Sequence, residues 1–181
     1  MHKFIYLCFL LAPAYAFAQQ HPSPYAGDQS RAIKALSDDE IRGYLTGQGM
    51  TLAKAGELNH YPGPLHVLEL SQPLRLSEAQ KLETEKLRAA MLSEATSIGK
   101  RIVAKERELD ALFASGKIDE AKLQDSVGEI GRLQGELRAA HLRAHLEQKR
   151  ILTPAQVARY DELRGYDRPE ASMQHDGRQH H

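Results

Sequence analysis

Three features predict an all-α protein built on a long antiparallel helical hairpin with short flanking helices. No stretch alternates apolar and polar residues as a strand would. Two long stretches carry apolar residues at three-four spacing, separated by the tight connector Ser115-Gly116-Lys117. A third signal is a leucine, a hydroxyl residue, two variable positions and a glutamine, found at Leu76-Ser77-Glu78-Ala79-Gln80 and, 76 positions on, at Leu152-Thr153-Pro154-Ala155-Gln156. Each copy reads as a helix start. A Ser or Thr at the N-cap accepts from the backbone three residues on, and the glutamine reaches back to the N-cap amide.

Residues 1–18 read as a secretory signal peptide: Lys3, an apolar run from Phe4 to Ala12, then Ala16-Phe17-Ala18 before Gln19. The run is too short to span a bilayer, and no later segment reaches the roughly 20 apolar residues required, so no stable membrane insertion is expected. Cys8 is the only cysteine and lies inside this segment, so the mature chain is expected to have no disulfide and no thiolate ligand. The whole chain has 24 basic and 24 acidic residues, and loss of Lys3 leaves 23 against 24. That balance does not suggest a nucleic-acid partner.

Residues 19–36 are polar, contain proline and lack periodicity, and are expected to form a mobile leader that docks locally through Tyr25 and Ile33. A single helical domain is expected over 37–166. Ser37-Asp38-Asp39-Glu40 starts a short helix through Tyr44, ended by Gly47 and Gly49. A second short helix is expected from Met50 to Leu58. Asn59-His60-Tyr61-Pro62-Gly63-Pro64 breaks the chain, and His66-Val67-Leu68-Glu69-Leu70 adds one or two turns before Pro73.

From Ser77 to about Ala114 there is no proline, and Leu87, Met91, Ile98, Ile102, Leu109 and Leu112 recur on one stripe, with Ala95 filling the gap. Asp119 is placed as the next N-cap, with Ile118 and Leu123 as a hydrophobic staple. The helix that follows, to about Arg150, carries Leu123, Val127, Ile130, Leu133 and Leu137 on its stripe. The second motif opens a last helix to about Gly165, with Pro154 at its first position and Leu152 placed to staple against Val157. Residues 167–181, including His175, His180 and His181, are expected to be a disordered polar tail that either scavenges metal loosely or is simply a polar end.

The secretory segment, the all-helical cysteine-free remainder and the paired motifs together resemble the LTxxQ family of periplasmic proteins. That family includes the Spy and CpxP chaperones, zinc-resistance-associated proteins and periplasmic heavy-metal sensors. The likeness covers roughly Gly49 to Tyr166. The segment from Glu57 through Pro62-Gly63-Pro64 to Leu70 looks like the metal-resistance or refolding-chaperone branch. The resemblance implies a periplasmic location, a helical hairpin and a homodimer. The chain departs from the chaperones in being nearly neutral, and from the sensors in carrying its His-x-x-x-His pair late, at His141 and His145.

His141 and His145 lie one turn apart and share a face, which allows two imidazoles to bind one ion. At about 100° per residue both fall within the apolar stripe of their helix. Folding the hairpin about Gly116 brings His141 opposite Met91 or Leu92 and puts the pair near His66 and Glu69. A metal site of His66, Glu69, His141 and His145, with Met91 as a soft extra, is therefore one expectation. Imidazole and carboxylate without thiolate suit Zn²⁺, Ni²⁺, Co²⁺ or Cu²⁺. The other is that these histidines are merely packed or hydrogen-bonded. Gly128, Gly131 and Gly135, beside Leu142 and Leu146, form either a groove for a partner or client helix or a weak stretch of helix tolerated because of packing on its other face.

No nucleophile elbow, phosphate-binding glycine loop or HExxH motif is present, so no enzymatic activity is expected. The leading functional expectation is a periplasmic envelope-stress protein that binds unfolded or misfolded envelope proteins without ATP. The alternative is a periplasmic heavy-metal sensor or resistance protein. A spacer or inhibitor that binds one folded envelope partner is a third.

Overall fold

The computed structural model describes residues 23–167. The expected signal peptide, the first residues of the leader and the tail histidines His175, His180 and His181 lie outside them. After a 3-10 turn at Asp28–Ser30 come six α-helices: α1 Asp38–Thr46, α2 Lys54–Glu57, α3 Pro64–Glu69, α4 Glu78–Ala114, α5 Glu120–Ile151 and α6 Pro154–Arg164. No strand occurs among the described residues, and no described helix is long and apolar enough to cross a membrane. The 37 residues of α4 make it about 55 Å long at about 1.5 Å per residue.

The helix starts are where the capping chemistry puts them. Ser37 with Glu40, Ser77 with Gln80 and Thr153 with Gln156 each form a complete capping box, and Asp119 accepts from the Lys122 amide. Gly47 and Gly165 close α1 and α6 in the left-handed region, at φ 67° and 76°. Gly116 turns the chain between α4 and α5 at φ 65°, and the two long helices pack against each other as the expected hairpin.

Apolar burial falls into three clusters along this hairpin. Ala95, Ile98 and Ile102 of α4 meet Leu133, Leu137 and Ala140 of α5 in the middle. Ile33 and Leu36 of the leader pack on Val103. The leader thus docks through Ile33 as expected, whereas Tyr25 is 74% exposed and does not take part. At the base, Leu76 and Leu152, the leucines of the two motifs, lie in one cluster with Val67, Leu74, Val157 and Tyr160.

The crossing of α1 over α4 depends on glycine. A Cβ on Gly99 would lie 2.0 Å from the Tyr44 carbonyl oxygen, so nothing larger fits beneath α1. By contrast Gly128, Gly131 and Gly135 have no neighbour within 4 Å of a would-be Cβ. They border open space.

Two further expectations about the fold are corrected. The helix expected over Met50–Leu58 is confined to Lys54–Glu57, because Met50 and Thr51 take positive φ values of 38° and 66° and cannot continue a right-handed helix. Val127, expected in the core stripe, is 51% exposed. No residue of α4 beyond Val103 and none of α5 before Ile130 is buried, and the leader reaches this end only through Lys34, whose amide and ammonium meet Asp110.

Candidate functional site

The two motifs meet across the base of the hairpin. Gln80 Nε2 donates to Gln156 Oε1 at 2.8 Å and to the Ile151 carbonyl at 2.9 Å. Gln156 Nε2 donates back to Gln80 Oε1 at 3.1 Å and to the Leu74 carbonyl at 3.2 Å. Each Oε1 also accepts from its own N-cap amide, Ser77 at 3.0 Å and Thr153 at 2.9 Å. The glutamines therefore cap their own helices and fasten the two helix starts together.

Above this clasp, the turn Asn59–Pro64 presses α2 and α3 against α5 and α6. His60 enters it at φ 64°, and Gly63 passes so close to His145 that a Cβ there would lie 2.9 Å from the ring Cε1 and 3.1 Å from Nε2. His145 Nδ1 donates to the Tyr61 carbonyl at 2.7 Å. A carbonyl only accepts, so in the neutral ring Nδ1 carries the hydrogen and Nε2 keeps its lone pair. The Lys149 ammonium covers the Tyr61 ring at 4.0 Å.

Glu57 occupies the centre of this region. Its Oε1 accepts from the hydroxyl of Tyr160 at 2.5 Å and of Tyr166 at 3.0 Å, with Arg164 Nε at 3.4 Å. Its Oε2 is buried without a hydrogen-bond partner and lies 3.7 Å from His145 Nδ1. Burial and then the carboxylate of Glu57 push the Tyr160 phenol well above its ordinary range, so it stays a donor. Beside it, Asp161 accepts from His60 Nδ1 at 2.8 Å through Oδ2, while its buried Oδ1 has no partner.

One turn before His145, His141 is only 4% exposed, and its Nε2 is buried without a partner. Burial, and then the neighbouring His145, hold its pKa below the ordinary imidazole value, so it is kept in the neutral form that ligates metals. The expected ligands His66 and Glu69 are found paired with each other at 2.9 Å on α3, both partly exposed. Among the described residues no three His, Cys, Asp or Glu side chains are grouped to hold one ion. The convergence expected of His66, Glu69, His141 and His145 is thus not formed. On so short a helix the i,i+3 pair satisfies itself locally. Glu57, which the sequence reading passed over, is the carboxylate nearest His145.

The family model described as heavy-metal resistance matches residues 53–159, more than half of the 181-residue chain. The chain belongs to the heavy-metal resistance family. This family sits with the LTxxQ, Spy and CpxP-like periplasmic proteins, as the motifs suggested. Its matched segment contains Glu57, the Asn59–Pro64 turn, both motifs and both α5 histidines, and excludes α1 and the leader. No curated protein and no solved structure matches the chain significantly. The heavy-metal resistance assignment therefore rests on the family model together with the residues of this segment.

Proposed function

We propose that the protein is a metal-handling envelope protein that binds a divalent first-row transition ion, Zn²⁺, Ni²⁺, Co²⁺ or Cu²⁺, through His141, His145 and Glu57. One observation carries this reading: Nε2 of His141 and Oε2 of Glu57 are both buried without partners, and that oxygen lies 3.7 Å from the ring of His145, one turn after His141. Stranding a buried polar group costs roughly 1–3 kcal/mol, and an ion would relieve both. A pair of imidazoles with one carboxylate fits these borderline metals in chemistry. The donors are not yet grouped, so binding must draw Glu57 or His145 inward by a side-chain rotation. In this reading the mature chain works in the periplasm as a homodimer and without enzymatic chemistry.

Titration of the purified mature chain with Zn²⁺, Ni²⁺, Co²⁺ and Cu²⁺ tests it. One ion per chain is expected, lost in the His141→Ala, His145→Ala double variant and retained in His66→Ala. Binding that survives the double variant would remove the reading.

A second reading, ATP-independent binding of unfolded envelope proteins, is favoured by the uncovered end of the hairpin, where Phe113 is 56% and Val127 51% exposed. With chelator present, it expects suppression of aggregation of a denatured client at equimolar protein, reduced by Phe113→Ser with Val127→Ser. No suppression would count against it.

A further inference from the structure

Where α2 meets α5, a cleft of about 470 Å³ carries positive charge that no described residue neutralises. Lys54 lines it from α2 and Arg138 from α5, and no Asp or Glu shares the lining. Arg132, Arg143 and Arg150 of α5 each pair with a glutamate, whereas neither Arg138 nor Lys54 has an ion-pair partner among the described residues. Leu52, Ala55 and Leu58 add apolar surface to the cleft, and Leu58 is left 50% exposed. Beside them Asn59 Nδ2 donates to the Ala55 carbonyl at 2.7 Å, which leaves Oδ1 of the same amide to accept from a guest.

We propose that this cleft docks an acidic segment of a partner protein, with carboxylates against Lys54 and Arg138 and an apolar side chain on Leu52 and Leu58. Charge complementarity selects the occupant: two cations from different elements, with no acid beside them, match carboxylates, and the planar guanidinium of Arg138 suits a bidentate grip. Shape selects a chain over a bilayer. The cleft is open to one side, and its α5 wall runs on past Gly135 and Gly131, about one and two turns before Arg138 on the same face, where an added Cβ meets nothing within 4 Å. A peptide can run along that wall and give a main-chain amide to Asn59 Oδ1, whereas a flat bilayer cannot enter between two elements. The docking needs no metal ion and does not rest on the metal-binding reading.

The test follows the fluorescence anisotropy of a labelled, end-blocked peptide, Gly-Glu-Leu-Glu-Leu-Glu-Gly, titrated with the purified mature chain in the presence of chelator. Saturable binding is expected, weakened about tenfold or more in Lys54→Gln with Arg138→Gln. Both side chains are exposed and unpaired, so the melting temperature of that variant should stay at the wild-type value and the loss reads as lost docking. Lys100→Gln with Arg107→Gln removes the same charge from exposed positions of α4 and should bind as the wild type does, as should Phe113→Ser with Val127→Ser. No binding by the wild type, equal binding of the peptide with Gln in place of Glu, or full affinity in the Lys54, Arg138 variant overturns the proposal. So do phosphatidylglycerol vesicles that displace the peptide and bind through the same two residues, an outcome that would give the cleft to anionic lipid.

Discussion

Gln80 and Gln156 each donate to the other's side-chain oxygen, at 2.8 and 3.1 Å, while that oxygen also caps its own helix. The repeated motif thus supplies both halves of one joint: its leucines share a cluster, its hydroxyls cap, and its glutamines bind across the base.

The joint predicts non-additivity. Gln80→Ala and Gln156→Ala should each lose about 1–3 kcal/mol, because each strands the partner's amide and a carbonyl as well as an N-cap. The double variant should lose less than the sum, with a coupling of at least about 0.5 kcal/mol in urea unfolding. Strict additivity would mean that the two motifs act separately.

Glycine substitutions should split by position. Gly99→Ala forces α1 off α4 and should destabilise by about 1–3 kcal/mol or more, since the obstacle is the Tyr44 backbone. Gly131→Ala meets open space inside α5 and should gain about 0.5–1 kcal/mol. Thermal melts of the two variants should move in opposite directions, and a shared sign would contradict the packing described.

The buried pair Gln148 and Thr84 gives a third case. Gln148 Nε2 donates to Thr84 Oγ1 at 3.1 Å, and that hydroxyl donates to the Gln80 carbonyl at 2.7 Å. Thr84→Val should cost roughly 1–3 kcal/mol by stranding the amide of Gln148, whose Oε1 already lacks a partner. Adding Gln148→Met should recover most of that loss. Denaturant midpoints of the single and double variants decide it.

His141 makes stability depend on pH in one direction. Its folded pKa is lowered, chiefly by burial, so above the unfolded value near ~6.5 both states are neutral and it contributes nothing. As pH falls through that value the unfolded chain takes up a proton that the folded chain resists, and stability declines until the folded pKa is passed. Between about pH 7.5 and pH 5.5 the wild type should therefore lose more melting temperature than His141→Gln. Equal losses would mean that His141 is not held neutral.

The helix starts were legible because their signals are local: Ser37, Ser77, Asp119 and Thr153 each name their own hydrogen-bond partner within three residues. The stripe of α5 was legible only where something packs on it, and periodicity alone could not tell that Val127 is left exposed and that burial begins at Ile130. The histidines of α5 were found by their spacing, and the structure keeps them inside the stripe, buried at His141 and half-buried at His145. Glu57 was missed because a carboxylate at the end of a four-residue helix reads as solvated. Its partners Tyr160, Arg164 and Tyr166 lie more than a hundred residues away, and no local pattern links them.

Fastened at its base and without a buried core at its far end, the hairpin resists load unevenly. Pulled apart at the Ser115-Gly116 connector, α4 and α5 should peel turn by turn at low force, as no residue beyond Val103 on α4 or before Ile130 on α5 is buried. Pulled between Ser77 and Thr153, the chain meets the paired glutamines and the two motif leucines first, and should yield in a single rupture.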